Sequence, residues 1–315
     1  MDLVQSIRGA CARIAGHVRE TPLQQASSLD VHLKLENYQL TGSFKLRGAM
    51  NFALSLSSAE RERGLVTAST GNHGLAVAHA AGVVGARGIV FVPEGSAGGK
   101  LDKLRASGIE TAVAGADCVE TELHARAWAE QHGSVYVPPY NDERIVAGQG
   151  TIGAELERQL PELDGVYVSL GGGGLVSGIA GYLKSIRPEV EVIACSPRNS
   201  PVMAESIRAG RILEMPTTPT LSDGTAGGVE PGSITFELVQ RNVDRHVIVD
   251  EEAIRCATRD VICRQGMLIE GAAGLALAGC LQERERWAGK RVVVVLCGAN
   301  IGLETLREVL AGSPG

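Results

Sequence analysis

In the segment Gly165-Val166-Tyr167-Val168-Ser169-Leu170-Gly171-Gly172-Gly173-Gly174, a largely apolar run without polar alternation stops at four glycines. Such a run reads as a parallel strand covered on both faces. A helical pattern begins at Leu175, so the segment is a strand, a glycine loop and a helix in succession. The same grammar repeats outward in both directions. Strand-like runs occupy residues 64–69, 88–92, 110–113, 134–137, 190–195 and 291–296, and helix-like stretches fall at 75–81, 99–107, 119–131 and 146–159. The pattern predicts an α/β chain whose parallel sheets are flanked by helices. Residues 216–231 read as an ordered loop, and no repeat, low-complexity tract or linker marks a domain boundary.

The 315 residues suggest about two domains at ~150 residues each. With 44% hydrophobic and 21% charged residues, the composition is globular and wholesale disorder is excluded. Aromatic content of 3% and a net charge of −6 argue against a nucleic-acid partner, which wants a basic face and stacking rings. No run approaches the ~18 apolar residues of a membrane span. The N-terminus has no basic-then-apolar signal layout, so the expectation is a cytoplasmic protein. Seven scattered cysteines with no CxxC spacing support neither a zinc ribbon nor a thioredoxin-type site. Most read as small buried hydrophobes in a reducing compartment.

In open parallel sheets, chemistry collects where loops leave the carboxyl ends of strands. Three loops there are richer in polar residues and glycine than folding requires: Ser69-Thr70-Gly71-Asn72-His73-Gly74, the tetraglycine Gly171 to Gly174, and Cys297-Gly298-Ala299-Asn300. Four glycines before a helix expose backbone N–H groups at a positive helix terminus, which suits a phosphate. A tight turn or a nucleotide site are the alternatives. A Walker loop fails because no lysine follows until Lys184, and Val176 and Ser177 stand where the third glycine of a dinucleotide fingerprint would fall. Lys45, in Thr41-Gly42-Ser43-Phe44-Lys45-Leu46-Arg47-Gly48-Ala49, reads alone as a solvated surface lysine. Its other reading is a desolvated Schiff-base lysine. An amine and a phosphate cradle together describe pyridoxal 5′-phosphate (PLP), an aldehyde that carries a phosphate.

The segment from Glu36 to Ala49 resembles the PLP-lysine segment of the threonine/serine dehydratase family, the fold-type II PLP enzymes. The loop at 69–74 resembles the family's substrate-carboxylate loop, 171–174 its phosphate loop and 297–300 the segment facing the pyridine nitrogen. Ala147-Gly148-Gln149-Gly150-Thr151 and Glu270-Gly271-Ala272-Ala273-Gly274 match further landmarks, and the resemblance runs from about residue 20 to 305. It implies a tryptophan synthase β-like fold in two parts. Residues 1–49 and 145–315 would form a large PLP-binding domain, and residues 50–144 a small inserted α/β domain. It also implies a homodimer, and a chain ending at Gly315 would lack the regulatory domain of relatives devoted to isoleucine synthesis.

The resemblance assigns roles. Lys45 would hold PLP covalently and then remove the substrate Cα proton. Phe44 would pack on the ring and Asn72 would bond its O3′. Gly171, Gly172, Gly173 and Gly174 would hold the phosphate. Ser69, Thr70, Gly71, Asn72 and His73 would bind the substrate carboxylate, although His73 reads equally as a structural histidine. Cys297 would approach the pyridine nitrogen, where many relatives have serine. Thr70 stands where serine racemases place the serine that works on the opposite face. Ser196 and Val202 replace the two acids that bind a divalent cation in several relatives, so no metal is expected there. The expected activity is that of an ammonia-lyase converting L-threonine or L-serine to a 2-oxo acid and ammonia. A racemase, a dehydratase of hydroxyaspartate, phenylserine or a hydroxyectoine-pathway intermediate, and a PLP-binding protein without catalysis are the competing readings.

Overall fold

Four consecutive valines, 292–295, are wholly buried, which accounts for a run with no polar alternation. They lie inside a sheet in the computed structural model of the chain, which describes residues 2–96 and 98–311. Along the chain run β1 (Leu23–Ala26), β2 (Val31–Lys34), β3 (Leu65–Ala68), β4 (Gly88–Val92), β5 (Glu110–Val113), β6 (Val135–Tyr136), β7 (Gly165–Ser169), β8 (Glu191–Pro197), β9 (Arg245–Val249) and β10 (Val292–Val295). The helices are α1 (Leu3–Ile14), α2 (Lys45–Ser55), α3 (Ser58–Glu62), α4 (Asn72–Val84), α5 (Gly98–Ala106), α6 (Cys118–His132), α7 (Glu143–Gln159), α8 (Gly174–Ile186), α9 (Val202–Ala209), α10 (Ile234–Asn242), α11 (Glu251–Gln265), α12 (Gly271–Gln282) and α13 (Leu303–Ala311). The α/β class with parallel sheets flanked by helices is as the sequence predicts.

The strands form two sheets. The larger has the order β1-β2-β10-β7-β8-β9, with β1 antiparallel to β2 and every other neighbour parallel. The smaller, β5-β4-β3-β6, is parallel throughout. Every strand-like run of the sequence reading became a strand, whereas β1, β2 and β9 were not anticipated. The largest apolar core covers the larger sheet, and α12 runs through it. Ten successive residues of α12, Gly271 to Cys280, are buried, so this helix has no polar face for a sequence pattern to show. Separate, smaller clusters cover the second sheet. Side-chain caps open α6, where Asp117 accepts from Val119 and Glu120 N–H, and α7, where Asp142 accepts from Arg144 N–H.

Beneath α2 lies a buried ionic cluster. Arg47 bonds Glu36 through Nε and Nη2, both at 2.8 Å, and also bonds Glu155. Lys34, on β2, bonds the same Glu155, the Thr21 carbonyl and Gln159. Lys34, Glu36 and Arg47 are fully buried, so two cations and two carboxylates balance inside the protein. The cluster ties β2, the turn at Glu36, α2 and α7 into one block.

Candidate active site

The three loops singled out above leave β3, β7 and β10 at their carboxyl ends, as the parallel topology requires. Backbone pairing joins the lysine segment to the third loop. Ser43 bridges Gly298, Phe44 N–H donates to the Cys297 carbonyl at 3.0 Å, and Ala299 N–H donates to the Gly42 carbonyl at 2.8 Å. Lys45 is the first residue of α2, so these bonds set the direction in which its side chain leaves the helix. Its Nζ donates to the Pro139 carbonyl at 2.7 Å, and the Phe44 ring centre lies 5.4 Å away. Part of the side chain reaches the surface, but protein surrounds the amine. Burial lowers its pKa to about 8, with Glu270 and Glu122 pulling the other way. Cys297 stays a neutral thiol, because burial and then Glu270 push its pKa well up.

Asn72 opens α4 and reaches across to residues nearly two hundred positions later. Its Nδ2 donates to both oxygens of Glu270, at 2.8 and 2.9 Å, and its Oδ1 accepts from Asn300 Nδ2 at 2.6 Å. Glu270, 3% exposed, also accepts from Asn300 N–H at 3.1 Å, and the Cys297 sulfur lies 3.9 Å away. A side chain at Gly298 would have its Cβ 2.7 Å from a Glu270 oxygen, so glycine is required there for the carboxylate to lie flat against the loop. Neither Glu270 nor Asn300 was given a role by the sequence reading. Each stood in a quoted motif, but only the fold shows that they meet Asn72.

His73 turns away from this group. Its Nε2 lies 3.0 Å from the Val137 carbonyl, and the ring is buried. Burial, and then the Lys45 charge, lower its pKa to about 3, so it is a neutral ring held to the smaller sheet. Ser69 Oγ accepts from Gly71 N–H at 3.1 Å and shapes the loop. The side chain of Thr70 is half-buried and hydrogen-bonds no other site residue.

The tetraglycine sits against Tyr140, which sequence reasoning also missed. A Cβ at Gly172 would collide with the Tyr140 ring, and one at Gly174 would lie 2.9 Å from the Tyr140 Cβ. Gly173 has φ 86°, a left-handed conformation that favours glycine. The N–H groups of Gly171, Gly172, Gly173 and Gly174 donate to no protein acceptor among the described residues, and no side chain caps α8. Four open donors at a helix N-terminus fit a phosphate. A desolvated amine whose one hydrogen bond is to a neutral carbonyl fits an aldehyde partner. The buried Ser43 Oγ, two residues before Lys45, has no hydrogen-bond partner either. The residues present therefore fit PLP.

A family model described as "Pyridoxal-phosphate dependent enzyme" matches residues 14–298. The chain belongs to this pyridoxal-phosphate dependent family. Its cofactor is pyridoxal 5′-phosphate. The chain is 38% identical to the L-threonine ammonia-lyase of Thermotoga maritima, a match that covers 98% of this chain and 78% of that protein. Among solved structures, the processed form of threonine deaminase isoform 2 from Solanum lycopersicum superposes with a TM-score of 0.94 at 32% identity, covering 99% of this chain and 94% of that one. Maize serine racemase superposes with a TM-score of 0.91 at 31% identity, covering 97% and 95%. Ser196 and Val202, which stand where several relatives carry two acids, are both buried, with Ser196 Oγ 3.5 Å from the Leu170 carbonyl. Among the described residues, no group of three His, Cys, Asp or Glu side chains is placed to hold a metal. No described helix is long and apolar enough to cross a membrane.

Proposed function

We propose that this pyridoxal-phosphate enzyme is an ammonia-lyase that dehydrates a small β-hydroxy amino acid, L-threonine to 2-oxobutanoate or L-serine to pyruvate, with release of ammonia. The observation that carries the reading is the Lys45 amine, desolvated, held on a neutral carbonyl and fixed by backbone pairs beside Cys297. The likeness to an L-threonine ammonia-lyase over nearly the whole chain supports it. Bound PLP supplies an aldehyde for the substrate amine and an electron sink for the Cα–H bond. Lys45 would hold the cofactor, and its Nζ would accept the substrate Cα proton. The open N–H groups at 171–174 bind the phosphate, and Phe44 supports the ring. Asn72, held by Glu270 and Asn300, would hydrogen-bond the ring oxygen. Ser69, Thr70, Gly71 and Asn72 receive the substrate carboxylate at the start of α4, while His73 keeps the loop on the sheet. Cys297 would face the pyridine nitrogen with a neutral thiol, a partner that suits loss of a β-hydroxyl better than carbanion-heavy chemistry. The reading extends to a division into residues 1–49 with 145–315 and an inserted 50–144, and to a cytoplasmic homodimer.

The test is to supply purified holoenzyme with L-threonine and L-serine, following 2-oxo acid, ammonia and, by chiral chromatography, D-serine. Racemisation needs a second acid/base opposite Lys45, and the candidate Thr70 carries a methyl that stiffens its χ1. Keto acid should outpace D-serine at least about tenfold, a barrier difference of about 1.4 kcal/mol. D-Serine forming as fast as pyruvate would replace this reading with the racemase one.

A further inference from the structure

Arg126 stands beside the site without a part in the chemistry above. From α6 it bonds Glu122, one turn earlier, at 2.8 Å, and crosses to Glu230 at 2.9 Å. Its guanidinium carbon lies 4.4 Å from the Tyr136 ring centre. Glu230 accepts from Asn141 Nδ2 at 2.8 Å and donates its N–H to the Tyr140 hydroxyl at 2.9 Å. Tyr140 is the ring laid against Gly172 and Gly174, and it follows Pro139, whose carbonyl holds the Lys45 amine. The Glu122–Arg126–Glu230 trio is therefore separated from the phosphate loop by Tyr140 alone, and from the Lys45 amine by Tyr140 and Pro139. Glu122 also acts on the charge of Lys45.

An arginine with free donors next to such a site would recruit a second carboxylate on the substrate. Here Nε and Nη2 are given to Glu122 and Glu230, and although Nη1 keeps its own donors, two carboxylates against one guanidinium leave the trio net negative. We propose that Glu122, Arg126 and Glu230 form a charge-saturated wall that reserves the site for neutral β-substituents and turns away amino acids carrying a second carboxylate. The proposal rests on the ammonia-lyase reading and narrows its substrate class. Like charges placed together are an efficient way to reject a wrong partner. The three side chains are about one-third exposed, at 35%, 35% and 30%, so solvent screens the repulsion and the discrimination is graded, not absolute.

The experiment compares holoenzyme with its Glu122→Gln and Glu122→Gln/Glu230→Gln variants. Turnover is measured with L-threonine and with L-threo-3-hydroxyaspartate. Affinity for the unreactive L-2-aminobutyrate and L-aspartate is read from the change in the cofactor's visible spectrum, which also verifies that each variant has folded and loaded. Wild-type kcat/KM should favour threonine at least about tenfold, and aminobutyrate should bind tighter than aspartate by a similar factor. Each carboxylate removed should move both ratios toward the acidic ligand, by about tenfold in the double variant. Glu122→Gln leaves the α6-to-loop bridge intact, so its shift in ratio reports charge and not folding. A wild type active on threonine that accepts hydroxyaspartate within about threefold, or variants with unchanged ratios in both measurements, would overturn the wall alone. Absence of keto acid from threonine and serine alike would overturn the ammonia-lyase reading, and the wall with it.

Discussion

A lysine is a nucleophile only when its amine has shed a proton, and Lys45 is brought toward that state by enclosure. Its hydrogen bond goes to the neutral Pro139 carbonyl, and burial brings its pKa down to about 8. The sign follows directly. Below pH 8 the free amine is mostly protonated and inert, and above it the neutral form dominates. The rate at which apoenzyme takes up PLP into its visible-absorbing form should therefore rise about tenfold per pH unit below pH 7 and level off above about pH 8. Stopped-flow absorbance over pH 6–9 measures it, and Lys45→Ala should never develop the band. A rate that kept rising about tenfold per unit through pH 9, with no plateau, would mean that the amine is not desolvated in the empty site. His73 adds no limb to this profile near neutrality, since with a pKa of about 3 it stays neutral throughout. Glu270 holds Asn72 in place from the other side of the site.

At the scale of elements, α2 is rooted as well as aimed. Arg47 follows Lys45 by two residues and is fully buried between Glu36 and Glu155. Replacing Arg47 by leucine removes one cation and leaves carboxylates buried with less compensation, which typically costs about 3–5 kcal/mol. Urea unfolding of the Arg47→Leu variant should show a loss of that size, and an unchanged midpoint would mean that the cluster is hydrated or dispensable. The same cluster explains part of what the sequence hid. Strands β3, β4, β7, β8 and β10 were legible because burial on both faces removes polar residues from the run. Strand β2 was not, because Lys34 sits in it and the partner that neutralises Lys34 lies 121 residues away. Strand β9 carries Arg245 and His246 at an edge. In the site, motifs such as Thr41 to Ala49 and the tetraglycine announced themselves through residue types that one local chemistry demands. Glu270 and Tyr140 did not, since an acidic residue or a phenol acquires meaning only from what the fold sets against it.

For the whole molecule, the site lies where the two sheets meet. Asn72 follows β3 of the smaller sheet, while Glu270 and Asn300 belong to the part built on the larger one. Lys103 of α5 adds a second crossing, with Nζ 3.2 Å from Asn300 Oδ1. Polar contacts of this kind are individually modest, about 0.5–1.5 kcal/mol each. A cofactor bonded to Lys45 and the loop at 171–174 on one side, and to Asn72 on the other, would join the two parts more firmly than these bonds do. Because PLP binds the folded chain and not the unfolded one, saturating it at a hundred times its dissociation constant adds about 2.7 kcal/mol. For a chain of this size that corresponds to a rise in Tm of roughly 5 °C. Thermal unfolding of apoenzyme and holoenzyme, followed by circular dichroism, should show that gap. The Gly172→Asp variant should lose most of it, because the new side chain collides with Tyr140 and sets a negative charge among the phosphate's donors. Proteolysis provides the spatial half of the argument. Removing PLP should expose the segment around β3 to β6 to cleavage before the larger sheet, since its apolar clusters are separate from, and smaller than, the core that covers the larger sheet. Equal melting temperatures with and without PLP would show that the folded chain does not hold the cofactor, and cleavage that begins in the larger sheet would show that the cofactor does not tie the smaller part to it.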